Sequence, residues 1–214
     1  MAEPTAELAI DASGVARRFG TRWVLRGVSM QVHAGEAVGL LGANGSGKST
    51  LLRIFSTLLR PSAGTVSVFG HDVVRAPDEV RGELGFLSHT PGLYDDLTAR
   101  ENLRFAATML GADCADINSV LERVGLSHAA DERVRGFSAG MERRLAVARM
   151  LMAKPRLLLL DEPYSNLDAD GIALMSGIIA DAVRADGAAL VVLHELAPAA
   201  GVLSRTVTLR DGRN

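Results

Sequence analysis

A glycine-rich loop between two apolar segments constrains the fold of this chain more than any other feature. The stretch GANGSGKST (42–50) fits the pattern G-x-x-x-x-G-K-[ST]. AVGLL (37–41) before it is typical of a short buried strand, and STLLRIFSTLL (49–59) after it has apolar residues at helical spacing. Strand, glycine-rich loop and helix in this order predict an α/β fold that binds phosphate at the loop.

The loop has the chemistry to hold a nucleoside triphosphate. Its glycines let the backbone turn tightly and aim N–H groups inward, and the free amides at the start of the helix add partial positive charge. We expect Lys48 to reach the β- and γ-phosphates and the Ser49 hydroxyl to complete the shell of a magnesium ion. The loop residues expected to contact the nucleotide are Gly42, Ala43, Asn44, Gly45, Ser46, Gly47, Lys48, Ser49 and Thr50.

The composition narrows the classes of protein to which the chain can belong. Its 214 residues suit one domain, or one domain carrying a subdomain, and its formal charge of -2 gives no electrostatic footprint for nucleic acid. The single cysteine, Cys114, cannot form an internal disulfide framework, which fits a reducing cytoplasm. MAEPTAEL (1–8) lacks the features of a signal peptide, and no segment offers the roughly 20 apolar residues of a spanning helix. We expect no direct membrane insertion, so any membrane role would act through partners.

Apolar runs and helical patterns divide the chain into segments. The pattern predicts an N-terminal tail (1–7), an α/β core with the phosphate loop (8–88), a helical subdomain (89–153) and a return to the core (154–214). Strand-like runs lie near 8–12, 22–32, 37–41, 64–69, 84–88, 156–160, 188–193 and 203–209.

Two carboxylates follow the most apolar of these strands. RLLLLDEP (156–163) suits a strand buried on both faces of a parallel sheet, so Asp161 and Glu162 would emerge at its carboxyl end. Ligands of open α/β sheets bind at this edge. We expect Asp161 to hold magnesium and Glu162 to act on an attacking water as general base.

A second anion site is predicted at the start of a helix far along the chain. In FSAGMERRLAVARMLMAKP (137–155), Ser138 is suited to cap the helix, and Ser138, Gly140 and their amides can bind phosphate. A single nucleotide could therefore bridge two such chains head to tail. The apolar stripe on this helix, which we expect to be core, is Met141, Leu145, Ala148 and Met152.

These motifs occur in the order found in ABC-type ATPases. Together with SNLD (165–168) and His194, they make residues 8 to 210 resemble one ATP-binding subunit of an ABC transporter. The resemblance implies a P-loop NTPase core with an antiparallel β subdomain and an inserted helical subdomain. It also implies Mg²⁺-dependent ATP hydrolysis, an ATP-dependent homodimer, and a peripheral position on the cytoplasmic face of the inner membrane beside membrane-spanning subunits.

The resemblance assigns roles to three further residues. Phe19 matches the aromatic residue that stacks on adenine, although a phenylalanine near a strand end can also be core or turn packing. Asp168 matches the aspartate that links the two ATP sites across the dimer. His194 matches the histidine that contacts the γ-phosphate, because it follows a predicted strand at the corresponding place.

Two positions depart from the family pattern. Met141 stands where the signature usually has glutamine, and methionine cannot reach back as a capping-box partner. His89 stands where the family has a glutamine bound to magnesium, next to the segment that touches the membrane partner. A neutral imidazole could contact magnesium through water, so His89 is either a ligand of this kind or an exposed turn residue.

The same stretches resemble a subgroup, the haem exporter ATPases of cytochrome c maturation. That likeness implies membrane subunits of the CcmB and CcmC type, but exporters of drugs or polysaccharides share much of the pattern.

The head of a DNA-repair or chromosome-maintenance ATPase is disfavoured, because residues 89–153 show no sustained heptads. A nucleotide-binding regulator without turnover stays open, with Met141 and His89 in its favour and the Asp161–Glu162 pair against it.

Overall fold

The computed structural model describes residues 7–214, so residues 1–6 of the predicted tail lie outside the described part of the chain. The elements follow in the order β1 (Leu8–Phe19), β2 (Arg22–His33), β3 (Ala37–Leu41), α1 (Lys48–Phe55), β4 (Ala63–Val68), β5 (His71–Asp72), α2 (Pro77–Glu83), β6 (Leu84–Leu87), α3 (Ala99–Leu110), α4 (Ile117–Arg123), α5 (Ala139–Leu151), β7 (Leu157–Asp161), α6 (Ala169–Arg184), β8 (Ala188–Val192) and β9 (Arg205–Thr208).

The strands form two sheets of different kinds. The four-stranded antiparallel sheet has the order β2-β1-β4-β5, and the five-stranded sheet has the order β6-β7-β8-β3-β9 with parallel neighbours. One apolar core lies between the two sheets around α1, and the other joins the parallel sheet to α3, α4, α5 and α6. This arrangement confirms the predicted mixed α/β fold with an antiparallel β subdomain and helical segments.

The parallel sheet brings four strand ends to one edge. In the register, Leu87 pairs with Leu160, Asp161 pairs with Val192, and Leu40 pairs with Val192 from the other side. The loops that leave β6, β7, β8 and β3 therefore start side by side, and ligands of parallel α/β sheets bind at such edges.

Polar side chains cap the starts of three helices, α3, α5 and α6. The Thr98 hydroxyl accepts from the Glu101 amide in a capping box at α3, the Ser138 hydroxyl caps α5, and Asp168 caps α6. Helix α5 also packs very closely on β6, since a Cβ on Gly85 would lie 2.6 Å from Met150 Cγ. No helix within residues 7–214 is long and apolar enough to cross a membrane.

Several element bounds differ from the sequence prediction. Strand β1 continues to Phe19 because a register shift between Ala12 and Val15 carries the pairing past Ser13 and Gly14. Helix α1 ends at Phe55, four residues early, because Thr57 adopts a positive φ of 65° that stops the helical backbone. The two-residue strand β5 and the short helix α2 were too brief to give a periodic signal.

Candidate nucleotide-binding site

Two glycines of the loop 42–47 are required by the backbone and its neighbours. Gly42 has a φ of 148°, and a Cβ there would lie 2.4 Å from the Leu209 carbonyl oxygen. Gly47 has a φ of 108°, and its Cβ would lie 2.7 Å from Leu25 Cδ2. A side chain at either position would force the loop away from the end of the sheet, so the loop keeps its shape only with glycine.

The Lys48 ammonium group is held inside the loop that precedes it. Its side chain donates to the carbonyl oxygens of Gly42 at 2.7 Å and of Ala43 at 3.1 Å, and the residue is only 6% exposed. The Ser46 hydroxyl beside it is buried and has no hydrogen-bond partner among the described residues. The loop therefore holds a positive charge and a hydroxyl donor that is unpartnered within residues 7–214, both of which a phosphate could engage.

A cleft of about 580 Å³ opens above this loop. Its walls come from β2, from the loop and α1, and from the three segments that follow β6, β7 and β8. The sheet thus brings together residues that are more than 140 positions apart, such as Lys48 and His194. The lining residues are Arg22, Val24, Asn44, Gly45, Gly47, Lys48, Ser49, Thr50, His89, Glu162 and His194.

Glu162 lies between two histidines on the cleft wall. Its Oε1 is 2.6 Å from His194 Nε2, and its Oε2 is 3.6 Å from His89 Nδ1. The first distance is that of a hydrogen bond, and the second is longer than one. Glu162 also has a φ of 51°, a left-handed conformation that is uncommon without glycine and is often found at functional sites.

Asp161 has the features of a cation ligand. It is 5% exposed at the end of β7, and its Oδ1 has no hydrogen-bond partner in residues 7–214. A buried carboxylate oxygen without a partner is costly, and a bound cation would satisfy it. No cluster of three or more His, Cys, Asp or Glu side chains that could hold a metal occurs in the described part of the chain. The donors present suit Mg²⁺, which is commonly held by one or two carboxylates together with substrate phosphates.

The second predicted anion site lies elsewhere on the molecule. The Ser138 hydroxyl accepts from the Met141 amide at 3.3 Å, and Ser138 itself is exposed at the start of α5. Gly140 is half-buried, and the Met141 side chain packs against the helical core. Ser138, Gly140 and Met141 are absent from the residues of the described chain that line the cleft.

Asp168 and Phe19 also lie outside the cleft lining found within residues 7–214. Asp168 accepts from the Gly171 amide at 2.8 Å and pairs with Arg144 of α5 at 2.9 Å. The Gly171 amide and the Arg144 guanidinium hold the pKa of the Asp168 carboxyl below its usual range. Phe19 is 46% exposed, and the Arg17 guanidinium lies 4.6 Å from its ring centroid.

Sequence reasoning missed two arginines near the site. Arg22 lines the cleft from β2, and nothing in its local pattern indicates this. Arg143 is buried in α5 and donates to backbone carbonyls at the ends of β6 and β7. A signal for Arg143 did exist, because LAVA (145–148) is apolar around the whole helix, which predicts burial on every face.

Comparison with known proteins identifies the family. A family model described as ABC transporter matches residues 25–165, well over half of the chain. The chain belongs to the ABC transporter family. A solved structure described as the ATP-binding subunit of an ABC transporter matches with a TM-score of 0.87 and 29% identity, over 96% of this chain and 87% of that one.

Two curated relatives of this ABC transporter chain differ in their described roles. The cytochrome c biogenesis ATP-binding export protein CcmA of Xanthomonas oryzae is 40% identical over 212 residues, 98% of both chains. The daunorubicin resistance ATP-binding protein DrrA3 of Streptomyces coeruleorubidus is 42% identical over 172 residues, 78% of this chain. The chain spans only 54% of the length of DrrA3.

These comparisons confirm the predicted family and fold. Members of the ABC ATPase family bind ATP, typically with Mg²⁺, hydrolyse it, dimerise and work with membrane subunits. A haem exporter is not singled out, because relatives described as cytochrome c biogenesis and daunorubicin resistance proteins match at similar identity.

Proposed function

We propose that this chain binds and hydrolyses ATP as the motor subunit of a transporter, at a site completed by a second copy. One observation carries the proposal. The Glu162 carboxylate lies on the wall of the same cleft as Lys48 and Ser49 and is hydrogen-bonded to His194 at 2.6 Å. A general base, a phosphate-binding lysine and a metal-binding hydroxyl thus share one cavity.

The residues of the cleft would have distinct roles in binding and hydrolysing ATP. Lys48 and the loop amides hold the phosphates, and Glu162 accepts the proton of the attacking water. Ser49 and Asp161 would hold Mg²⁺, which supplies positive charge that offsets the charge developing on the phosphates. His194, hydrogen-bonded to Glu162, would orient its carboxylate and contact the γ-phosphate, and His89, 3.6 Å from Glu162 Oε2, would contact Mg²⁺ through water.

The proposed partner copy supplies the other wall of the site. The start of α5, with exposed Ser138 and half-buried Gly140, is not part of the chain's own cleft lining within residues 7–214, and it would meet the ATP of a second copy. In such a two-fold arrangement each copy gives and receives the same contact. Asp168 is proposed to contact the partner near this junction, and Phe19 to stack on adenine.

Changing Ser138 to aspartate tests the shared site. Aspartate is as good a helix cap as serine, so α5 should stay intact, but its charge would face the partner's γ-phosphate. We expect turnover to fall about 100-fold while ATP affinity of the single chain changes less than about threefold. Steady-state hydrolysis and calorimetry measure the two quantities.

The matched control places the same charge on another exposed serine of the helical subdomain. Ser119→Asp on α4 should keep the turnover of the unaltered chain. Full turnover in Ser138→Asp would contradict a site completed by the α5 start of a second copy.

A membrane partner is proposed to bind an apolar groove beside the site. The groove, of about 300 Å³, lies between β6, α3 and α5, and Tyr94, Phe105 and Met109 line it. All three are exposed, Met109 at 72%, and such a contiguous apolar patch marks a protein interface. The segment 89–94 connects the nucleotide cleft to this groove, since His89 lines the cleft and Tyr94 lines the groove.

A charge in this groove should separate binding of the partner from binding of ATP. We expect Met109→Glu to abolish co-purification with the membrane subunits, because burying a carboxylate in an apolar interface is costly unless a hydrogen-bond donor or cation pairs with it. ATP affinity of the isolated chain should stay unchanged. Leu58→Glu, at an exposed leucine that does not line the groove, is the control that should still co-purify. Co-purification of Met109→Glu at the level of the unaltered chain would rule out the groove as the docking site.

The finer proposal is a haem exporter of cytochrome c maturation, with CcmB- and CcmC-type partners on the cytoplasmic face of the inner membrane. Its support is the end-to-end match to CcmA, over 98% of both chains. An exporter of drugs is the second candidate, supported by the DrrA3 match. Co-purification from native membranes, with the partners identified by mass spectrometry, distinguishes the two.

A further inference from the structure

Arg143 is a buried cation that the roles proposed above do not use. It is only 4% exposed in α5, although charged residues precede and follow it on the helix. A buried charge without partners would be strongly destabilising. The hydrogen bonds of Arg143 with the protein must therefore replace those it would make with water.

The guanidinium of Arg143 joins two separate backbone segments. Nη1 donates to the Ser88 carbonyl at 2.7 Å and lies 3.5 Å from the His89 carbonyl, both just after β6. Nη2 donates to the Asp161 carbonyl at 2.8 Å and to the Glu162 carbonyl at 2.6 Å, at the end of β7. Burial lowers the pKa of Arg143, and the nearby Asp161 and Glu162 carboxylates act in the opposite direction.

These contacts fix the backbone of Glu162 on both sides. Its N–H donates to the Val192 carbonyl at 3.2 Å, and its carbonyl accepts from Arg143. Its φ of 51° is sparsely populated, so the surrounding contacts have to maintain it. The same conformation directs the carboxylate between His194 and His89.

We propose that Arg143 is a positioning residue for hydrolysis, which holds the backbone of Glu162 and ties it to the start of α5. The inference depends on the proposed role of Glu162 as general base. Because Ser138 and Arg143 lie on one helix, contact of Ser138 with the partner's ATP would be transmitted to the chain's own catalytic carboxylate. Arginine suits this role because its planar fork reaches two segments, whereas a lysine ammonium is a single point.

The test compares Arg143→Lys and Arg143→Met with a matched variant of the same helix. Arg149→Lys is matched because Arg149 also donates to loop carbonyls after β6, those of Pro91 and Gly92, but not to residues 161–162. We expect Arg143→Lys to lower kcat by about 30-fold with ATP affinity within about threefold. The kcat of Arg149→Lys should fall less than about threefold.

A double-variant cycle distinguishes positioning from general destabilisation. In the Glu162→Gln background, Arg143→Lys should lower single-turnover hydrolysis by less than about twofold, because the group it positions is already gone. If Arg143→Met fails to fold, Arg143→Lys and the double-variant cycle still test whether Arg143 positions Glu162. An unchanged kcat in Arg143→Lys, or an equal loss of hydrolysis with and without Glu162, would overturn the positioning role of Arg143. Neither result would contradict the proposed function. No turnover by the unaltered chain with Mg²⁺ and ATP would overturn the proposed function, and the inference with it.

Discussion

Replacing Lys48 with alanine should lower the affinity for ATP by about 100-fold or more. The ammonium group is held by the Gly42 and Ala43 carbonyls at 2.7 and 3.1 Å, so it is already positioned inside the loop. Hydrogen bonds to charged groups contribute about 1.5–3 kcal/mol each, and two lost phosphate contacts would exceed the roughly 2.8 kcal/mol that corresponds to 100-fold. Isothermal titration calorimetry with ATP and Mg²⁺ measures the loss.

The chain supplies its own control for this experiment. Its only other lysine, Lys154, forms an exposed ion pair with Asp116. Lys154→Ala removes the same charge from the surface and should leave ATP affinity unchanged, because exposed ion pairs contribute little. Unaltered ATP affinity in Lys48→Ala would contradict the assignment of residues 42–50 as the phosphate-binding loop.

Replacing Glu162 with glutamine should lower kcat by about 10²- to 10⁴-fold while ATP and Mg²⁺ still bind. The amide has the shape of the carboxylate but cannot accept a proton from water. Because bound ATP would then persist, the two copies should stay together, and saturating ATP with Mg²⁺ should trap a dimer. Steady-state hydrolysis and analytical ultracentrifugation measure the two effects.

Glu195→Gln is the control for this variant. It removes one exposed carboxylate close in sequence to His194 and outside the cleft lining identified in residues 7–214, so hydrolysis should continue. Turnover of Glu162→Gln near that of the unaltered chain would exclude Glu162 as the base. A variant that stays monomeric in saturating ATP would count against the shared site.

The sequence predicted the parts of the site that depend on local pattern. The phosphate loop and the Asp161–Glu162 pair each follow a short apolar strand, and the position of a residue at a strand end can be inferred from its neighbours in sequence. The start of α5 was predicted for the same reason, since Ser138 is a helix cap of a common kind.

Contacts across the fold could not be predicted in this way. The His194–Glu162 hydrogen bond depends on which strands are neighbours in the sheet, and sequence spacing does not fix that order. Arg143 was missed because charged residues in helices usually face water, and the apolar stretch 145–148 predicts burial of the helix but not the carbonyls that Arg143 contacts. Phe19 lies beside Arg17 at the end of β1, so its proposed stacking on adenine stays a prediction.

The separation of the cleft from the exposed start of α5 would make ATP hydrolysis depend on assembly of two copies. If each chain holds half of two sites, dilute free copies would rarely complete one, and activity per chain would rise with concentration. Two copies held on one membrane complex would meet instead at an effective concentration in the millimolar range, set by the spacing of their docking sites. Idle hydrolysis by unassembled copies would then be suppressed by geometry, without a dedicated inhibitor.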